Sequence, residues 1–297
     1  MEDETGQYGQ PDAHPKDVTA PAPEGRGVTA VVAGMAVEVA GQGEAVILLH
    51  GLGGTSNTFQ PLMEGLRGFR AVRPDLPGSG RSATPEGPLS VATLADGIAR
   101  MAEVLGVDRG AHLVGHSLGT ILCQHLAAER PAMVRSLTLF GALGEPPAPA
   151  RATLRERAAR ARAGGMEAIA DEVSGGSTAA ATRRDAPAAV AFVRESLLRQ
   201  CPRGYARTCE ALSEARAADP ARIACPLLVV NGEDDPVAPP SGARALAERI
   251  AGARAEILPR CGHWPTIEAP REAARALAGF LGGAARGRAT GARRTAF

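Results

Sequence analysis

Gly115-His116-Ser117-Leu118-Gly119 places a serine between two glycines, each two residues away, in the pattern G-x-S-x-G. Between a strand and a helix, such glycines let the chain make a tight turn that exposes the Ser117 hydroxyl. A serine nucleophile needs a base to take its proton and an acid to orient that base. Of six histidines, His14 falls in a polar arm, His112 inside an expected strand and His125 in mid-helix. His116 adjoins the serine, where neighbouring side chains point apart. His263, in Cys261-Gly262-His263-Trp264, follows the last expected strand, where loops at the C-terminal edge of a sheet converge, and is the expected base. The acid is sought in Asn231-Gly232-Glu233-Asp234-Asp235-Pro236, where Glu233, Asp234 and Asp235 are all candidates. A tetrahedral oxyanion needs N–H donors. Leu118, just after the serine, offers one, and the Gly-rich turn His50-Gly51-Leu52-Gly53-Gly54 should offer the second. No G-K-[ST] follows that turn, which argues against a phosphate cradle.

The elements that must position these residues alternate. Strands are expected at Val28–Val32, Met35–Val39, Ala45–Leu49, Arg70–Arg73, Ala111–Val114, Ser136–Phe140, Leu227–Val230 and Ala255–Leu258. Helices are expected at Thr58–Leu66, after a Ser90 cap with the stripe Leu94, Ile98, Met101 and Leu105, at Leu118–Arg130, Ser241–Ile250 and Glu272–Leu281. This is an α/β chain with a mostly parallel eight-stranded sheet covered on both faces. Residues 144–222 lack a strand pattern and should form short helices, a lid inserted at the sheet's C-terminal edge. Residues 1–27, with net charge −4, and 282–297, with +4 from Arg286, Arg288, Arg293 and Arg294, are expected to be unstructured ends around one domain at 28–281.

Composition narrows the class. The 297 residues carry a formal charge of +1, no global field for nucleic acid or an anionic membrane, and no apolar run near the roughly 18–20 residues a membrane span needs. The acidic first residues do not resemble a signal peptide, and five cysteines without a C-x-x-C pair suit free thiols in the cytoplasm. Nine aromatics leave the lid only Phe192 and Tyr205, which suits a small, polar substrate. Phe59 and Trp264 are candidate pocket walls.

Over residues 28–281 the chain resembles the α/β-hydrolase superfamily. The matching pieces are His50–Gly54, Arg73-Pro74-Asp75-Leu76-Pro77-Gly78-Ser79-Gly80-Arg81-Ser82, Gly115–Gly119, Gly232-Glu233-Asp234-Asp235 with Pro239, and Gly262-His263 with Glu268 and Pro270. The resemblance implies a Ser117–Asp235–His263 triad, oxyanion donors at the Leu52 and Leu118 amides, and no metal or cofactor. Cys201-Pro202-Arg203-Gly204-Tyr205, followed by Cys209-Glu210-Ala211-Leu212, is similar to 3-oxoadipate enol-lactonases. That likeness implies a small enol-lactone or carboxylic ester as substrate, with Tyr205 and a lid arginine, Arg203 or Arg207, contacting it. C–C bond hydrolases and cofactor-free perhydrolases share the triad, and a non-catalytic binding protein on the same fold is a further alternative.

Overall fold

The computed structural model describes residues 28–291. Its eight strands are β1 Val28–Val32, β2 Met35–Ala40, β3 Glu44–Leu49, β4 Phe69–Pro74, β5 Ala111–His116, β6 Val134–Phe140, β7 Leu227–Gly232 and β8 Arg254–Leu258. They form one sheet in the order β1-β2-β4-β3-β5-β6-β7-β8. β2 runs antiparallel to both β1 and β4, and every other pairing is parallel. The β1–β2 hairpin turns at Ala33 and Gly34, both with positive φ, as a tight hairpin turn requires.

The helices are α1 Val91–Val104, α2 Leu118–Glu129, α3 Ala148–Gly164, α4 Glu167–Ser177, α5 Ala180–Asp185, α6 Pro187–Leu198, α7 Pro202–Ser213, α8 Pro240–Glu248, α9 Pro265–Glu268 and α10 Pro270–Gly291. α1 begins at a reciprocal cap between Ser90 and Thr93. The segment expected as a helix at Thr58–Leu66 is a 3-10 helix over Ser56–Leu66 with Pro61 inside it, a residue that cannot donate to an α-helical ladder. Helices α3 to α7 all lie between β6 and β7.

Side-chain alternation on the buried strands divides the core. On β3, Val46 and Leu48 join Phe59, Leu62, Leu277 and Phe280 in one cluster, while Ile47 and Leu49 join Ile98, Leu118 and Leu122 in the other. An uninterrupted apolar run is what a strand covered on both faces needs. Two expectations are corrected here. Phe59 is fully buried in the cluster that includes α10, away from the cavity described below, so it is a core residue. Helix α10 continues to Gly291, ten residues into the segment expected to be unstructured, because Ala and Arg are strong helix formers and the Gly282-Gly283 pair does not stop it. Residues 1–27 and 292–297, including the rest of the two expected ends, lie outside the described residues. Among the described residues no helix is long and apolar enough to cross a membrane.

Candidate active site

Ser117 stands between β5 and α2 with φ 52° and ψ −116°, a strained conformation for a residue with a Cβ. The turn survives because its surroundings over-determine it. The Ser117 N–H donates to the Phe140 carbonyl at 3.0 Å, and the Thr120 hydroxyl donates to the Ser117 carbonyl at 2.6 Å. Gly119 is obligatory, since a Cβ there would lie 1.9 Å from the Leu49 carbonyl oxygen.

His263 follows β8 and closes a hydrogen-bonded chain. Its Nδ1 lies 2.8 Å from Asp235 Oδ2 and its Nε2 lies 2.9 Å from Ser117 Oγ. A carboxylate only accepts, so Nδ1 carries the hydrogen and Nε2 is left to accept from the serine hydroxyl. Asp235 is buried at the end of β7, and its Oδ1 accepts the Val237 and Ala238 N–H groups, both at 2.8 Å. Glu233 and Asp234 are exposed, so the three acidic candidates separate on burial and reach.

The His50–Gly54 turn, the expected source of an oxyanion donor, runs against the serine: a Cβ on Gly51 would lie 2.7 Å from the Ser117 Cβ. The Gly54 N–H closes the turn onto the Gly51 carbonyl at 3.0 Å. Among the described residues neither the Leu52 nor the Leu118 N–H has an acceptor. His50 holds the start of this loop. Its Nε2 accepts the Leu76 N–H at 2.8 Å, which leaves Nδ1–H for the Gly51 carbonyl at 2.8 Å. Burial lowers its pKa and keeps it in this neutral form.

Two residues that the serine chemistry did not point to fix His263. His116 sits beneath it with ring centroids 5.3 Å apart, and Glu268 gathers the surrounding backbone. The Glu268 carboxylate accepts from the Ala179, Gly262 and Trp264 N–H groups at 2.8, 3.1 and 2.9 Å and from the Thr182 hydroxyl at 2.6 Å. It therefore ties the His263 loop to α5. Glu268 was visible in sequence only through the family resemblance. His116 was visible only as the neighbour of the serine.

A cavity of about 420 Å³ opens on Ser117 and His263. Its wall is mostly apolar, with Leu143, Leu154, Val173, Leu212 and Trp264 among its members, and Tyr205 also lines it. Arg203 and Arg207 do not. Each is two residues from Tyr205 on α7, about 200° around a helix, so they fall on the face turned away. The arginine in the lining is Arg157, on the α3 stripe Ala150, Thr153, Leu154 and Arg157. Its Nη2 donates to Glu172 Oε1 at 3.1 Å, and Glu172 also receives Arg160 at 2.7 Å, so one carboxylate serves two guanidinium groups. The i, i+3, i+4, i+7 spacing was there to be read, but Arg151, Arg155, Arg160 and Arg162 on the same helix hid it.

Comparisons with known proteins place the fold. A family profile described as the alpha/beta hydrolase fold matches residues 44–270. A Caulobacter sp. (strain K31) protein, provisionally named carbamate hydrolase RutD, is 31% identical over 255 residues, covering 82% of this chain and 92% of its own length. A thermophilic esterase from Thermogutta terrifontis, solved with malate bound, superposes with a TM-score of 0.81 at 27% identity, covering 87% of this chain and 99% of the other. The enol-lactonase from Burkholderia xenovorans LB400 superposes with a TM-score of 0.79 at 28% identity, covering 86% of this chain and 99% of the other.

Proposed function

The chain belongs to the α/β-hydrolase fold family, and on that premise we propose that it is a serine hydrolase opening a small carboxylic ester or lactone through an acyl-enzyme. The observation that carries this reading is the hydrogen-bonded chain from Ser117 through His263 to Asp235, facing a cavity beside unspent N–H donors. Ser117 Oγ attacks the carbonyl carbon as its proton passes to His263 Nε2, and Asp235 steadies the imidazolium that forms. The carbonyl oxygen becomes an oxyanion held by the Leu52 and Leu118 amides, where pre-aimed donors are worth most. When the tetrahedral adduct collapses, His263 returns the proton to the departing alkoxide or enolate oxygen. Water then gives His263 a proton, its oxygen attacks the acyl-enzyme, and the free acid leaves with Ser117 restored.

Three features support a small acid-bearing substrate such as an enol-lactone. The cavity is compact, Arg157 is the arginine in its lining, and the enol-lactonase and malate-bound esterase are among the similar structures. An arginine beside an apolar wall is suited to hold a carboxylate through paired N–H groups. Assays with p-nitrophenyl acetate, an enol-lactone acid and a vinylogous diketone test the reading. Turnover of the ester and lactone that is lost in Ser117→Ala supports it. Turnover confined to the diketone replaces it with C–C bond hydrolysis, and unchanged ester turnover in Ser117→Ala removes Ser117 from the chemistry.

A further inference from the structure

Gln200, between α6 and α7, is far from the oxyanion loop in sequence, yet its buried amide is spread across that loop's far end. Its Nε2 donates to the Ser196 carbonyl at 2.8 Å and reaches the Gly53 and Gly54 carbonyls at 3.3 and 3.4 Å. Its Oε1 accepts the Gly80 N–H at 3.2 Å, which fixes the orientation of the amide, since the reverse would set oxygen against three carbonyls. An amide has two N–H bonds, so one serves Ser196 and the other is shared between the two loop carbonyls. The Ser196 hydroxyl adds a 2.8 Å bond to the Gly53 carbonyl. Leu197 is packed so closely that a Cβ on Gly53 would lie 2.4 Å from its Cδ2.

His50 secures the beginning of the turn at the Gly51 carbonyl. At the other end, among the described residues, every donor to the Gly53 and Gly54 carbonyls comes from the lid. The Leu52 N–H lies in the Gly51–Leu52 peptide plane, whose carbonyl His50 and the Gly54 N–H hold, and the chain that leaves Leu52 is anchored at the Gly53–Gly54 plane by Gln200 and Ser196, so the turn is fixed on both sides of that amide. We propose that Gln200 is a positioning residue for catalysis: together with Ser196 it makes the lid hold the Leu52 amide in its oxyanion-binding orientation. The inference rests on the proposed acyl-enzyme reading, in which that amide receives the oxyanion. The lid is then part of the catalytic scaffold as well as the cavity wall.

Two variants test it, Gln200→Leu, which keeps side-chain bulk without donors, and Ser196→Ala, which removes one bond. With p-nitrophenyl acetate, Gln200→Leu is expected to lose about tenfold in kcat with KM within about twofold, a fraction of the effect of deleting an oxyanion donor. Affinity for an alkyl trifluoromethyl ketone, which adds Ser117 to form a hemiketal oxyanion, should weaken by the same factor, while inhibition by acetate stays unchanged. Ser196→Ala should show the same pattern at about threefold. A merely structural role would change thermal stability without this split. Folded Gln200→Leu with wild-type kcat and ketone affinity, or with a change confined to KM, overturns the proposal. Should Gln200→Leu fail to fold, Ser196→Ala decides, and wild-type kcat and ketone affinity there overturn it equally. Ser117→Ala run in parallel separates the two readings, because turnover surviving in it sinks the acyl-enzyme reading whatever Gln200 does.

Discussion

His116 donates its Nε2–H to the main-chain carbonyl of His263 at 2.8 Å, so the residue before Ser117 holds the backbone of the residue whose ring accepts the Ser117 hydroxyl. Burial pushes the His116 pKa from its ordinary 6.5 down to about 3, with the nearby His263 adding to the shift. The ring is neutral, its one N–H is committed to His263, and among the described residues its Nδ1 has no partner.

This arrangement sets a pH dependence of stability. Between pH 6.5 and about 3 the unfolded chain protonates His116 while the folded one does not. The folded state therefore has its full stability above pH 6.5 and loses it as the pH falls, by about 1.4 kcal/mol per pH unit from this group. His50 and His112, whose pKa values burial also lowers, act in the same direction. Urea unfolding of wild type and His116→Phe from pH 7.5 to 4.5 isolates the His116 part. The variant should lose about 1–3 kcal/mol at neutral pH, where the His263 carbonyl lacks its donor, and show a shallower decline in acid. Parallel curves for the two proteins contradict the assignment.

Ser117 stores backbone strain at φ 52°. Glycine occupies that region without the steric cost, so Ser117→Gly should be inactive yet about 1 kcal/mol more stable than Ser117→Ala. Thermal unfolding of the two inactive variants makes the comparison without interference from catalysis. Equal midpoints would mean that the turn holds no strain.

Asp235 and Asp234 are adjacent in sequence and opposite in role. Asp235→Asn disturbs the partner that keeps the hydrogen of His263 on Nδ1, and kcat should fall by about 10³–10⁴. Asp234→Asn, on an exposed side chain, should keep wild-type kcat. Similar losses in both variants would argue that the loop as a whole, and not the Asp235 contact, is responsible.

Arg157 lines the cavity and Arg203 is exposed. For acyl substrates ending in a carboxylate, Arg157→Gln should raise KM about tenfold, the scale of one charge-assisted hydrogen-bonded contact, while leaving neutral acyl substrates within about twofold. Arg203→Gln should change neither. A tenfold penalty on neutral substrates would assign Arg157 to packing instead of recognition.

The serine turn, the alternation of strand and helix and the eight strands were legible in the chain because each depends on residues near in sequence. Steric limits at Gly119, apolar runs such as Val46–Leu49 and the Ser90 cap act locally. The pairing of Ser117 with His263, 146 residues away, was legible through the order of loops at one sheet edge. The choice of Asp235 over its acidic neighbours needed the family likeness first and burial afterwards. The lid was not legible beyond being helical. Helices α3 and α7 each carry more than one arginine, and which arginine meets the cavity depends on how the two helices rotate against each other and the sheet. The chain alone singled out Ser117, its partners in outline and the sheet that converges their loops. Packing of distant segments settled which lid residues face inward, that His116 holds His263, and that Gln200 bonds to the Gly53 and Gly54 carbonyls, because those contacts join backbone groups that no local pattern specifies.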